Sequence, residues 1–392
     1  MLPRSHWRHR ARRAVPLLVP LLVFPLLPIL LCACATPYRP PLLPDTPPAV
    51  FPGLIDLAAQ AGGREADVLL VHGICTHDAG WLDQVLPQLT RALRDASTPA
   101  PAHAAGMDGM APAVQIVPAT IATPAGRLRF DALIWSPLTS ALKRQLCYDQ
   151  SAKSSLCAGT PPYPYTRARL NARFKDGLID DCLPDALIYA GAARETMQLR
   201  MREAVLQVLS GMRPEAPLVV ISHSMGSKIL FDTLLRMSDE PAGSPAAALA
   251  RQALRRMRLL MMAANQIPLL SLAEQQLAAP EAPVRAAAPP PDSLQALLRL
   301  RHAARQGAAD GNRLTLVAFT DPNDLLSYPL PPERYAAEGV TVYNILVSNA
   351  PTYLGLLERP DTAHLDYLGN PDVGRLIACG QPVSKLCDGA HP

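Results

Sequence analysis

Seven short apolar runs punctuate the chain, most of them bounded by Gly, Pro or polar residues. Asp67-Val-Leu-Leu-Val71 and Pro217-Leu-Val-Val-Ile221 are apolar at consecutive positions, the pattern of a strand buried on both faces. Val114–Val117, Phe130–Trp135, Leu259–Met262, Leu314–Phe319 and Val340–Val347 predict further strands. Between the runs the apolar period lengthens to that of a helix. Trp81, Val85, Leu86, Leu89 and Leu93 predict a helix over 79–93. Met197, Met201, Val205 and Val208 predict one over 196–212, and a third covers 228–237. Strands alternating with helices imply an α/β domain over 65–392, its mainly parallel central sheet covered on both faces. Two stretches break the alternation. Residues 140–185 are polar and hold three cysteines, as a cap-like insertion would, and 277–312 read as an Ala/Pro-rich surface excursion.

The N-terminus follows neither period. Residues 1–13 are basic, Ala14 to Leu31 form an 18-residue apolar run, and a Pro-rich polar stretch follows, which is the layout of a secretory signal peptide. Leu31-Cys-Ala-Cys34 resembles a bacterial lipobox. That resemblance implies cleavage after residue 33, acylation of Cys34, and a Pro-rich tether over 34–64. Two other fates fit the run: a plain cleaved signal, or a retained span, against which Pro16, Pro20, Pro25 and Pro28 argue. The lipoprotein resemblance places the protein outside the cytoplasm, anchored to the cell envelope. With Ala35 rather than Asp after the cysteine, the outer membrane is favoured if the source is Gram-negative.

Charge and cysteine content narrow the function. The formal net charge of +4 falls to −1 once the five arginines of residues 1–33 are set aside, so no nucleic-acid partner is expected. Six cysteines follow Cys34, an even number in an exported chain, which favours disulfides. Cys147 with Cys157 and Cys379 with Cys387 would close short loops; Cys75 and Cys182 are left to pair or to stay free. No metal-ligand spacing and no Gly-rich phosphate loop occurs, so neither a metal nor a cofactor is expected. The arginines of 251–258 read as a solvated helix face, and Asp185 with Tyr189 as a polar pair on one helix face.

The chemistry concentrates in Ile221-Ser-His-Ser-Met-Gly226. A buried strand runs into a small-x-Ser-x-Gly turn and a helix leaves it, which lifts a serine hydroxyl clear of the sheet. Ser222 and Gly226 are the small residues such a turn demands. Here the chain resembles the α/β-hydrolase superfamily, with Ser222 in place of the first glycine of Gly-x-Ser-x-Gly, a change expected to add some strain. The resemblance makes Ser224 the nucleophile and gives the oxyanion an N–H from Met225. Val68-Leu-Leu-Val-His-Gly-Ile-Cys75 resembles the His-Gly loop of lipase-like members, which assigns the second oxyanion N–H to Ile74 and a loop-shaping role to His72. His77 and Asp78 are candidates for the mouth of the site.

The family's chain order is Ser, acid, His. Only His364 and His391 follow the strand at 314–319, and His391 is the penultimate residue. His364, in a loop before a terminal helix, is therefore the base. Thr320-Asp-Pro-Asn-Asp-Leu325 offers the acid: Asp324, projecting beyond the turn toward the histidine, or alternatively Asp321. The resemblance thus implies a membrane-anchored serine hydrolase of α/β-hydrolase fold, cleaving carboxylic esters or lipids through an acyl-enzyme. The alternatives are an amidase, thioesterase or lysophospholipase acting on envelope components, or a non-catalytic hydrolase-fold lipoprotein that binds a lipid or a partner.

Overall fold

The computed structural model describes residues 34–97, 113–276, 291–306 and 313–387. The signal segment 1–33, most of the 277–312 excursion and His391 lie outside the described residues. Seven strands form the central sheet: β1 (Glu65–Val71), β2 (Gln115–Ala122), β3 (Arg127–Ile134), β4 (Leu218–His223), β5 (Met257–Ala263), β6 (Leu314–Thr320) and β7 (Val340–Leu346). Their order is β2-β3-β1-β4-β5-β6-β7, parallel throughout except for the antiparallel pairing of β2 with β3. The architecture is α/β, as the alternation predicted.

Both faces of the sheet are covered, and the strand period sorts the side chains between them. Val68 and Leu70 of β1 enter one core with Val219 and Ile221 of β4, under the helices Leu54–Gln60, Trp81–Thr90 and Pro371–Cys379. Leu69 and Val71 enter the other with Leu218 and Val220, under the helices Arg194–Gly211, Met225–Ser238, Pro245–Arg256 and Ser293–Ala304. That is why the sequence there is apolar without alternation. Each fully buried Val, Leu or Ile contributes about 1.5–3 kcal/mol of burial, so the central strands are the most strongly specified part of the molecule.

Several elements differ from the sequence reading. β2 extends five residues beyond Val117, because Pro118 and the polar Thr120 sit on an edge strand, where a missing N–H and one wet face are tolerated. Residues 34–64, expected as a tether, are laid against the body. Cys34–Ala35 pairs antiparallel with Thr352–Tyr353, and Leu42 exchanges two backbone hydrogen bonds with Leu346 on the far edge strand. Phe51–Pro52 pairs with Gly380–Gln381, and Leu54, Ile55 and Ala58 are core residues. Arg256 is buried against Asp67 and Ala216 rather than solvated, because the chain turns inward there to begin β5. Asp185 and Tyr189 are not a pair: Asp185 receives the Cys75 N–H, while the Tyr189 hydroxyl donates to Asp232.

Candidate active site

The order of the sheet creates the site. From β1 the chain runs outward to β2 and β3 on one side, then returns to place β4 on the other. At such a reversal the loops leaving the two central strands diverge and open a crevice at their carboxyl ends. The loops in question are His72-Gly73-Ile74 after β1 and Ser224 after β4. Gly73 lies so close that a Cβ on it would stand 2.7 Å from the Ser224 Cβ. Gly226 is equally constrained, since a Cβ there would come within 2.1 Å of the His72 carbonyl oxygen. These contacts explain why both positions are glycine.

Ser224 has φ +54° and ψ −130°, a conformation that costs a non-glycine residue about 1–3 kcal/mol. Its own N–H donates to the Ala263 carbonyl at 2.8 Å, which helps to hold the turn. Ser222, buried beneath it, accepts a hydrogen bond from the Ser227 hydroxyl at 2.8 Å, so the residue in place of glycine has a partner. Ser224 is also the N-cap of the Met225–Ser238 helix, a position where serine ordinarily caps through its side chain. Here the hydroxyl does not cap. It lies 2.9 Å from His364 Nε2.

His364 sits in a short helix, Pro360–Leu365, rather than in the expected loop. Its Nδ1 faces Asp324 Oδ1 and Oδ2 at 2.9 and 3.0 Å. Asp324 also accepts the Leu326 N–H at 3.0 Å and the Tyr367 hydroxyl at 3.0 Å. Burial pushes the Asp324 carboxyl up, but the hydrogen bond and charge of His364, with help from Leu326 and Tyr367, outweigh it and hold the group below its ordinary pKa. Asp321 takes a different role. Its oxygens accept the backbone N–H groups of Asn323 and Asn349, and it shares a hydrogen bond with Glu358, so it braces the loops instead of meeting His364.

His72 donates from Nδ1 to the Gly73 carbonyl, and its Nε2 accepts the Trp135 N–H at 2.9 Å. Burial lowers its pKa well below the ordinary value, and it stays neutral as a loop brace. His77 bonds the Ile74 carbonyl through Nε2 and the Ser136 hydroxyl through its N–H, so it holds the same loop. Asp78 accepts the Gly80 N–H. Met225 opens the helix after Ser224, and Ile74 follows Gly73, which brings both backbone segments to the serine.

Three features were missed from the sequence. Tyr367, three residues after His364, bonds Asp324 and accepts the Asp321 N–H at 2.7 Å; an aromatic close behind the histidine was the available signal. His223 donates from Nε2 to the His364 carbonyl at 2.9 Å, and burial together with the neighbouring His364 lowers its pKa to about 3. Gln266 places Nε2 3.3 Å from His364 Nε2. Of the two outcomes left open for Cys75 and Cys182, the structure has the disulfide, which ties the residue after Ile74 to the insertion, alongside the two expected short-range pairs. The insertion adds Asp181, which accepts from Thr76 N and Oγ1, and Asp185; the buried Lys143 lies 2.8 and 3.3 Å from the two carboxylates. No protein-family model and no curated protein matches the chain.

Proposed function

We propose that the protein is an exported serine hydrolase of α/β-hydrolase fold, held at the bacterial cell envelope by a lipid on Cys34, that cleaves carboxylic esters or lipids. The observation that carries this reading is the unbroken hydrogen-bonded chain from Ser224 Oγ to His364 Nε2 and from His364 Nδ1 to Asp324, each link 2.9 Å, ending on a serine at φ +54°. In this reading His364 removes the Ser224 proton as Oγ attacks the substrate carbonyl. Asp324 fixes the tautomer that leaves Nε2 free to accept, and it offsets the charge His364 gains. The developing oxyanion is held by the N–H groups of Ile74 and Met225, the latter at a helix N-terminus. His364 then protonates the leaving alcohol, and water, deprotonated in the same way, releases the acyl group. The same geometry would serve an amide or thioester, and a substrate screen chooses among them.

The complete burial of Ser224 favours one competing reading, a catalytically silent hydrolase-fold lipoprotein that binds a lipid or a partner. A fluorophosphonate separates the two. The full chain in detergent micelles, and again in phospholipid vesicles, is incubated with the probe and its intact mass recorded. A single adduct on wild type that is absent from Ser224→Ala supports the hydrolase. A folded wild-type chain without an adduct in both media establishes the silent protein.

A further inference from the structure

Opposite the insertion, the segment Tyr353 to Leu357 forms a tight turn closed by hydrogen bonds from Tyr353 N–H to the Leu357 carbonyl (2.7 Å) and from Leu356 N–H to the Tyr353 carbonyl (2.9 Å). Its tip points apolar side chains into solvent: Leu356 is 84% exposed, and Leu354 and Leu357 are more than half exposed. Leu354 also has φ +54°, at a position where a water-facing turn would carry Gly, Asn or Asp. Strained backbone and exposed leucine together mean that the tip is not shaped by water.

The apolar surface continues beyond the turn. Leu357 lines one wall of a cleft of about 800 Å³ whose other wall is the insertion helix Arg169–Phe174, with Leu170 75% exposed and Phe174 also exposed. The cleft's rim is basic. One carboxylate, Asp361, serves both Arg173 (3.2 Å) and Arg359 (2.6 Å), and Arg169 stands exposed one turn before Arg173. Such a patch, apolar at its centre and cationic at its edge, matches an anionic lipid headgroup layer.

What identifies the occupant is where the N-terminal segment joins the fold. Cys34 is exposed and pairs in register with Tyr353, the first residue of the turn. The apolar run Ala14–Leu31 ends three residues before it. In the anchored reading, with an acyl chain on Cys34, and equally if the run is kept, the hydrocarbon attaches beside the exposed leucines. The cleft also adjoins Pro360 and Asp361, the first turn of the helix that carries His364.

We propose that the Tyr353–Leu357 turn and the Leu170/Phe174 face of the insertion form a membrane-docking surface that seats on anionic phospholipid, so that the anchored protein lies with its candidate catalytic end against the bilayer instead of swinging free on its anchor. The proposal borrows the anchored reading for its orientation and needs nothing from the catalytic one.

The test uses the full chain reconstituted into vesicles of phosphatidylethanolamine and phosphatidylglycerol. Leu356→Trp reports on the turn, and the exposed Glu215→Trp reports on the opposite end of the molecule, just before the amino end of the central strand β4; acylation of Cys34 is read separately by mass. A tryptophan at position 356 whose emission is lost to brominated phospholipid but shielded from acrylamide, beside one at 215 that behaves the other way, supports docking. If both remain open to acrylamide and untouched by brominated lipid, docking is overturned, whatever Cys34 carries; a protein partner for this face would give that same result. Quenching at 356 with Cys34 unmodified would retain docking and refute the lipid anchor alone.

Discussion

Two buried polar networks lie on either side of the crevice, and they are built to opposite ends. The chain Ser224–His364–Asp324 is linear and ends on a hydroxyl held on strained backbone. The cluster Lys143–Asp181–Asp185 is closed: its ammonium meets two carboxylates, and those carboxylates also take N–H groups from Cys75 and Thr76. The electrostatics differ accordingly. Asp324 is held below its ordinary pKa. In the second network burial wins at Asp185 and raises it, while Lys143 keeps Asp181 low against the same burial. The first network leaves a hydroxyl at its end; the second ties its carboxylates to backbone N–H groups and fixes geometry, here the loop that carries Ile74.

The largest effect that would break this contrast is on reactivity. Asp324→Asn should slow fluorophosphonate labelling of Ser224 by about 10⁴-fold with the fold intact, since the histidine then loses its tautomer control. Asp321→Asn should cost less than about tenfold. Equal losses in the two variants would mean that the loop, not the carboxylate, carries the effect. For the second network the loss should fall on stability. Lys143→Met leaves the buried Asp185 and the half-buried Asp181 without their cation and should cost about 3–5 kcal/mol in denaturant unfolding. A variant that unfolds normally but labels slowly would transfer the cluster to the catalytic side.

A smaller effect tests how tightly the acid is held. Tyr367→Phe removes one hydrogen bond to Asp324 and one acceptor for the Asp321 N–H, at a cost of about 1–2 kcal/mol. It should slow labelling a few-fold. Because Asp324 then loses a stabilising donor, the acid limb of the pH profile should also move upward; an unmoved limb would reduce Tyr367 to packing.

The smallest effect concerns Glu358, which burial and the neighbouring Asp321 push up to about 7. Its sign is opposite to that of Asp324. Asp324, depressed in the fold, adds stability above the ordinary carboxylate range that is lost as pH falls through its folded pKa. Glu358 adds stability below its unfolded value that is lost as pH rises toward 7. Glu358→Gln should therefore raise the thermal midpoint at pH 8 relative to wild type and leave it nearly level at pH 5. An equal change at both pH values would show that the two carboxyls do not share a proton.

The sequence reading was strongest where burial writes directly into residue choice. Val68–Val71 and Pro217–Ile221 are apolar because two cores claim alternate residues, and Gly226 is glycine because the His72 carbonyl stands against it. It was weakest where long-range neighbours decide a polar residue's role. Nothing local told that Arg256 would be buried by Asp67, that Asp185 would serve Cys75 rather than Tyr189, or that the Pro-rich segment after Cys34 would cover a sheet edge. His364 was picked by chain order, yet its helix is visible only once Tyr367 and Asn349 are seen to fasten it, Asn349 through the Ala363 carbonyl.

By itself, then, the sequence determined the α/β layering, the sharp turn at Ser224, the short-range disulfides and the candidates for base and acid. Each depends on neighbours a few residues away or on a period repeated within one element. Only the tertiary structure set Asp324 rather than Asp321 against His364, joined Cys75 to Cys182, and brought Cys34 beside the exposed leucines of the 353–357 turn. Those outcomes depend on which side chains meet across tens to hundreds of residues, and that is set when the two cores close, since a buried polar group keeps whichever partner the packing leaves within hydrogen-bond reach.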